Sequence, residues 1–200
     1  MKAAIVLNCD FNREISEEYI FCADGGYKYL LSKRLKPFCV VGDFDSTEVP
    51  QGILHFQVPQ RKDFTDGEYA VRLAIENGFD DLSIYGAYGG RIDHVLYNLN
   101  LLAIAKSLGA KAKIMGDDSD GYLIDDKIAL KTEIGDIISI VPFGDEVHIM
   151  SSEGLEYEIK NLSLTKRQTK GVSNVATKKE VSIKVKRGEC LLFHIFRKEV

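Results

Sequence analysis

Along the first part of the chain, short apolar runs alternate with segments whose apolar residues recur every three or four positions. Runs at 3–7 and 19–23 read as strands. Residues 25–35 have helical spacing, with Tyr27, Leu30, Leu31 and Arg34 close to an i, i+3, i+4, i+7 set. Pro37 opens a further strand over 38–41, and another follows at 54–58. Runs at 82–85 and 111–115 complete the set, separated by two longer helices. The first of these starts at Thr65 and runs to about Asn77; the second ends near Leu108. Thr65 followed three residues later by Glu68 is a capping box, which makes Thr65 the predicted N-cap. This alternation implies an α/β domain, a mostly parallel sheet with helices on both faces.

After Gly121 the period changes. Short runs at 128–130, 136–141, 146–150, 155–159, 181–185 and 190–196 alternate with polar residues and turn signals, without a helical pattern. Val181-Ser182-Ile183-Lys184-Val185-Lys186 alternates strictly, as a strand with one wet face requires. Regular turns between short strands predict an antiparallel β-sandwich. The boundary falls near Asp117-Asp118-Ser119-Asp120-Gly121, a plausible linker, so the expected domains are 1–120 and 121–200.

Composition narrows this only a little. A hydrophobic share of 45% with 28% charged residues is ordinary for a globular protein. No apolar run approaches the roughly 18 to 20 residues that span a bilayer, so no membrane partner is expected. The N-terminal apolar run stops at polar residues and lacks the shape of a signal peptide. Cys9, Cys22, Cys39 and Cys190 are widely spaced with no C-x-x-C pair, which fits free thiols in a reducing, cytoplasmic setting. Net charge is −4, yet the stretch from Lys160 onward carries eleven Lys/Arg against three Asp/Glu. That basic end either attracts an anionic substrate or is a solvated outer face of strands. Overall acidity and the lack of an Arg–aromatic cluster argue against nucleic acid.

The candidate chemistry lies where strands end. The 38–41 strand runs into Asp43 and Asp45, with Ser46 behind them. If the chain stays extended there, both carboxylates leave one face. Two such charges repel unless a cation lies between them, and Mg²⁺ takes oxygen ligands of this kind. A polar turn bonded to its own backbone is the plain alternative. Asp63 and Asp66, beside Arg61 and Lys62, sit at a predicted helix start, where the dipole favours anions. Both loops follow strands of one sheet, and ligands of open α/β sheets bind beyond the strand carboxyl ends. The four carboxylates together predict a Mg²⁺–phosphate site.

A third stretch, 85–98, feeds a strand through Gly86, Gly89 and Gly90 into a helix. Arg91, His94 and Asn98 fall on one face of that helix with Asp93 beside them. Free N–H groups at such a helix start meet phosphate well. A surface pair between Arg91 and Asp93 is the simpler reading. Asp24-Gly25-Gly26 repeats the scheme, with Asp24 alternatively an N-cap.

Asp24-Gly25-Gly26, Gly42-Asp43-Phe44-Asp45-Ser46, Lys62-Asp63-Phe64-Thr65-Asp66 and Gly89-Gly90-Arg91-Ile92-Asp93-His94 occur in this order and at these intervals in thiamine pyrophosphokinases. The chain resembles that family over nearly its whole length. Gly154-Leu155-Glu156-Tyr157 looks like the family's G-L-x-aromatic segment, and Gly171-Val172-Ser173-Asn174 is similar to its S-N motif. Tyr157 stands where some members carry Trp, and this chain has no Trp.

The resemblance implies a Rossmann-like nucleotide-binding domain followed by a β-sandwich that binds thiamine and dimerises. The implied reaction moves diphosphate from ATP to the hydroxyl of thiamine, giving thiamine diphosphate and AMP. It also implies a homodimer with sites between subunits. By carry-over, Asp43, Asp45, Asp63 and Asp66 hold or surround Mg²⁺, and Asp93 accepts a hydrogen bond from the aminopyrimidine. Tyr157, Ser173 and Asn174 line the same pocket from the partner subunit. Arg91, Arg61 or Lys62 offset charge developing toward AMP, and Asp24, Ser46, Lys62, Thr65, His94 and Asn98 join the substrate-binding set. Catalysis of this kind is mostly positioning and electrostatics. The alternatives are a related pyrophosphokinase acting on a hydroxymethyl pterin and a Mg-nucleotide-binding regulatory module without turnover. His55, His148 and His194 read as ordinary strand and loop residues.

Overall fold

Six strands and three helices make up the first of two units in the computed structural model, which describes residues 1–44 and 51–197 apart from the side chain of Asp24. Asp45 and Ser46 therefore lie outside the described residues. The chain divides at 117/118 into Met1–Asp117 and Asp118–Val200. The first unit runs β1 (Lys2–Val6), β2 (Ile20–Ala23), α1 (Asp24–Ser32), β3 (Cys39–Gly42), β4 (Leu54–Gln57), α2 (Asp66–Glu76), β5 (Asp81–Tyr85), α3 (Ile92–Ser107) and β6 (Lys111–Met115). Its strands lie in the order β6-β5-β1-β2-β3-β4, every pairing parallel.

Strands covered on both faces read as continuous apolar runs, and β1 and β3 do: Ala3 to Val6 and Cys39 to Val41 are fully buried. α2 packs on β1, β2 and β3, and α3 on β6. The other face is covered differently. Ala4, Val6, Cys22, Val40 and Tyr85 pack with Tyr27 and Leu30 of α1 and with Phe11, which belongs to the helix-free crossover between β1 and β2. Asp117 anchors that crossover: its Oδ1 accepts the N–H groups of Asn12 (2.8 Å) and Arg13 (3.1 Å), and its Oδ2 accepts from Asn12 Nδ2 (2.9 Å). Burial disfavours the Asp117 carboxylate, but these donors outweigh it and lower its pKa.

The second unit contains β7 (Ser119–Ile124), β8 (Lys127–Lys131), β9 (Ile137–Pro142), β10 (Glu146–Glu153), β11 (Lys160–Thr165), β12 (Asn174–Val175), β13 (Glu180–Arg187) and β14 (Cys190–Ile195). Two antiparallel groups form, β12-β9-β14-β7 and β11-β10-β13-β8. Their inward residues make one core that includes Ile138, Ile140, Ile149, Leu164, Val181, Ile183 and Leu192. The alternation at 181–185 thus reads directly as Val181, Ile183 and Val185 buried.

Two expectations fail here. Residues 155–159 are not a strand; Leu155 makes a single bridge to Ala176, and the ladder resumes only at Lys160. Gly154 explains the break. It has φ +86°, and a Cβ there would lie 2.4 Å from the Glu180 carbonyl oxygen, so the chain turns before 155. Residues 119–121 are not a linker either but the start of β7. Buried Asp120 accepts from the Tyr122 hydroxyl at 3.2 Å, so a strand with acidic residues is accommodated there. Among the described residues, no helix is long and apolar enough to cross a membrane.

Candidate active site

In the first unit the chain order reverses at β1: β2, β3 and β4 extend to one side, β5 and β6 to the other. Beyond the strand carboxyl ends at such a reversal is where open α/β sheets take ligands. A cleft of about 520 Å³ opens there. Leu7, Asn8 and Cys9 line it from the end of β1, Ala23 and Gly25 from the start of α1, and Asp43 from the end of β3. Thr65, Asp66 and Gly67 come from the start of α2; Gly86, Gly89, Gly90, Arg91, His94 and Asn98 come from the β5–α3 connection. Three helix N-termini therefore share one cavity, and each carries partial positive charge. Those of α1 and α3 have no side-chain cap hydrogen bond.

Close backbone approach makes this possible. A Cβ on Gly26 would lie 2.7 Å from the Leu7 carbonyl oxygen. Gly86 has φ +67°, and a Cβ there would come within 2.6 Å of the Cys9 carbonyl oxygen. α2 starts as expected, with Thr65 Oγ1 accepting the Glu68 N–H at 3.1 Å. Only half of the capping box forms, because Glu68 turns to Arg72, 2.8 Å away.

Of the four candidate carboxylates, Asp43 and Asp66 face this cleft. Asp63 is exposed on the preceding loop and is not among the lining residues. Lys62 Nζ lies 2.7 Å from Asp66 Oδ1. The extended geometry expected after β3 does not hold, because β3 ends at Gly42 and Phe44 has φ +55°. A left-handed residue breaks the strand's alternation of side chains directly after Asp43. Among the described residues, no three His, Cys, Asp or Glu side chains gather closely enough to hold a metal ion.

Arg91 and Asp93 form the surface pair, at 2.6 Å and 3.1 Å. Both are well exposed, and the arginine holds the Asp93 carboxyl below its ordinary range. Arg91 lines the cleft and Asp93 does not. Asn98 reaches back from α3 to donate from Nδ2 to the Ala87 carbonyl at 3.0 Å, pinning the glycine-rich turn. Asn8 and Cys9, which the sequence does not mark as site residues, also line the cleft, following β1 as the carboxylates follow β3. Cys9 Sγ donates to the Gly89 carbonyl at 3.1 Å, and burial with the Asp10 charge raises its pKa. All four cysteines are free thiols.

The second unit brings together its own candidates. Asn174 Oδ1 accepts the Tyr157 N–H (3.1 Å), and Asn174 Nδ2 donates to the Tyr157 carbonyl (2.7 Å). Ser173, at φ +59°, donates its N–H to Ser139 Oγ at 3.0 Å. Tyr157 is 71% exposed. His194, by contrast, is buried with its Nε2 2.6 Å from Asp136 Oδ2, a contact of the core.

Residues 12–114 match the model of the thiamin pyrophosphokinase catalytic domain, and residues 126–190 match that of the thiamin pyrophosphokinase vitamin B1 binding domain. The chain belongs to the thiamin pyrophosphokinase family. Thiamine pyrophosphokinase of Bacillus subtilis is 29% identical over 160 residues, 76% of this chain and 75% of that protein. Thiamin pyrophosphokinase 1 of Caenorhabditis elegans is 24% identical over 184 residues, 84% of this chain and 75% of that protein. A crystal structure of the Bacillus subtilis enzyme superposes with a TM-score of 0.88 at 22% identity, covering 99% of this chain and 100% of that one. The yeast enzyme gives 0.74 at 16% identity, covering 98% and 86%. At these identities the solved structures speak to the fold, α/β with antiparallel β structure following. The chain is a diphosphotransferase: it moves diphosphate from ATP to thiamine, the reaction of its family.

Proposed function

We propose that the cleft at the β1 reversal holds the ATP polyphosphate during diphosphate transfer to thiamine, with Mg²⁺ bound by Asp43, Asp45 and Asp66. The observation that carries this is the convergence of three helix N-termini and two carboxylates on one cavity. The helix ends suit the phosphates, and the carboxylates suit the hard cation that accompanies them. Asp66 already faces a positive charge, the Lys62 ammonium, as a metal-binding carboxylate would. When bound, Mg²⁺ would offset phosphate charge. Lys62 and Arg91 would add positive charge on the AMP side, and the glycines at 86, 89 and 90 would let the polyphosphate lie against main-chain N–H groups.

Asp24, Ser46, Thr65, His94 and Asn98 complete the nucleotide side of this reading, with Asp63 in the outer ring of charge. Asp93 is assigned to the thiamine aminopyrimidine, where an ionised carboxylate attracts the cationic vitamin. Tyr157 and Ser173 would contact the vitamin from the second domain. In this reading the first unit, Met1–Asp117, is a Rossmann-like catalytic domain, and the second, Asp118–Val200, binds thiamine and dimerises. The site would lie between the first domain of one subunit and the second of its partner. Ile92, Leu96 and Tyr97 are 72%, 59% and 67% exposed along α3, an apolar face in keeping with a homodimer. Three buried free thiols fit a cytoplasmic enzyme.

Incubation with Mg-ATP and thiamine is the test. AMP and thiamine diphosphate should form in equal amounts, and EDTA should stop both. AMP formation that survives EDTA, or that Asp43→Asn leaves untouched in a folded protein, would refute the metal assignment.

A further inference from the structure

Asn174 has its carboxamide committed before any substrate arrives. Its Oδ1 accepts two main-chain N–H groups, from Tyr157 at 3.1 Å and Val175 at 3.0 Å. Its Nδ2 donates to the Tyr157 carbonyl at 2.7 Å. Both polar groups of one peptide residue are thus held by one side chain across seventeen positions of sequence. We infer that Asn174 acts on thiamine through Tyr157: it is a positioning residue whose carboxamide clamps the main chain at 157 and so sets where the exposed ring stands. This rests on the reading that Tyr157 contacts the vitamin, here taken as its ring stacking on the flat heteroaromatic.

The surroundings explain why a clamp is needed. The segment 154–159 has left the β10 ladder, and a loop of that kind has few main-chain partners. Its remaining ties lie on either side of the ring. Before it, Glu156 donates its N–H to the Val175 carbonyl at 2.8 Å, and Leu155 bridges Ala176. After it, Ile159 donates its N–H to Ser152 Oγ at 2.7 Å. The N–H and carbonyl of Tyr157 itself are met by Asn174. On the other strand, Ile140 donates to the Gly171 carbonyl and Ser173 to Ser139 Oγ, so Asn174 stands on a segment fixed to β9. The ring is therefore carried by a rigid base while 71% of its own residue surface stays open. A flat heteroaromatic gains most from a ring that is immobilised beforehand, because no ordering remains to be done on binding.

The test is a double-mutant cycle read in KM. Tyr157→Ala should raise the thiamine KM about tenfold, the loss of one aromatic contact. Asn174→Ala should raise it about threefold or more, with the ATP KM unchanged, because a loosened ring binds less well. The double variant should match Tyr157→Ala alone. Multiplying effects would show that Asn174 touches the substrate itself and would overturn the inference. A thiamine KM untouched by Tyr157→Ala would overturn the stacking reading instead. The clamp is then decided without substrate. Since the chain has no Trp, Tyr157→Trp installs a single fluorescent reporter, and adding Asn174→Ala should lower its anisotropy and raise its quenching by acrylamide. Unchanged anisotropy would refute the clamp. Should Asn174→Ala fail to fold, Asn174→Asp keeps the acceptor, loses the donor, and should give a smaller shift of the same sign.

Discussion

Lys62 Nζ stands 2.7 Å from Asp66 Oδ1, with 10% of the lysine side chain and 27% of the aspartate exposed. That oxygen has no aligned hydrogen-bond donor, so the contact is an ion pair. An ion pair this poorly hydrated leaves a destabilising charge behind when one partner goes. Lys62→Met should therefore lower Tm by a few degrees in EDTA, and Mg²⁺ should restore much of it. Asp66→Asn should cut kcat about a hundredfold, the usual scale for a lost electrostatic contact at a transition state. Calorimetry with and without Mg²⁺, beside AMP release, checks both.

Asn98 ties α3 to the turn at Ala87. Asn98→Leu removes the donor and leaves the carbonyl short of a partner, at a cost of about 1 kcal/mol. For a chain of this size that is a Tm drop of roughly 2 to 4 °C. The glycine turn should also loosen, so the KM for ATP should rise more than that for thiamine. An equal rise in both would argue that Asn98 does not act through the turn.

Arg91 and Asp93 make an exposed pair, and exposed pairs contribute little to stability. Tm should therefore hold in both Arg91→Ala and Asp93→Ala. Their kinetics should diverge: Arg91→Ala lowers kcat, whereas Asp93→Ala raises the thiamine KM well above any change for ATP. Parallel behaviour of the two variants would mean the pair functions as a unit and that Asp93 has no role of its own at the pyrimidine.

Asp136, just before β9 in the second unit, is buried. Burial alone would raise its pKa, but the Arg197 N–H, the His194 ring and the Glu133 N–H together lower it below the ordinary 3.8. A carboxyl with a depressed folded-state pKa contributes stability above its ordinary value and loses it as pH falls through the depressed one. Tm should thus hold down to about pH 4 and drop below pH 3.8, with Asp136→Asn showing a shallower acid limb. Losing an acceptor that serves three donors should also cost about 2 kcal/mol or more at neutral pH.

Local signals carried much of the architecture. Thr65 with Glu68 marked a helix start that the structure realises, and the alternation at 181–185 named the buried side chains of β13. Other elements were hidden for physical reasons. β11, Lys-Asn-Leu-Ser-Leu-Thr, is polar enough to pass for a loop, while the more apolar 155–159 is turned out of the ladder by Gly154. Around the cleft, strand-end carboxylates and glycine pairs drew attention to Asp43, Asp66 and the 86–91 turn. Asn8 and Cys9 gave no such sign, because an amide and a thiol after a strand carry no distinctive chemistry until β1 proves to be the reversal point. The left-handed Phe44 could not be foreseen, since phenylalanine seldom adopts that conformation.

The central strand has a consequence for how the protein is made. Lys2 to Val6 pair with Asp81 to Tyr85, and the crossover at Asn12 is held by Asp117. During synthesis, then, the first strand emerges long before its inner neighbour exists. Its apolar edge must wait, open to chaperones or to sticking, until three quarters of the catalytic unit has left the ribosome.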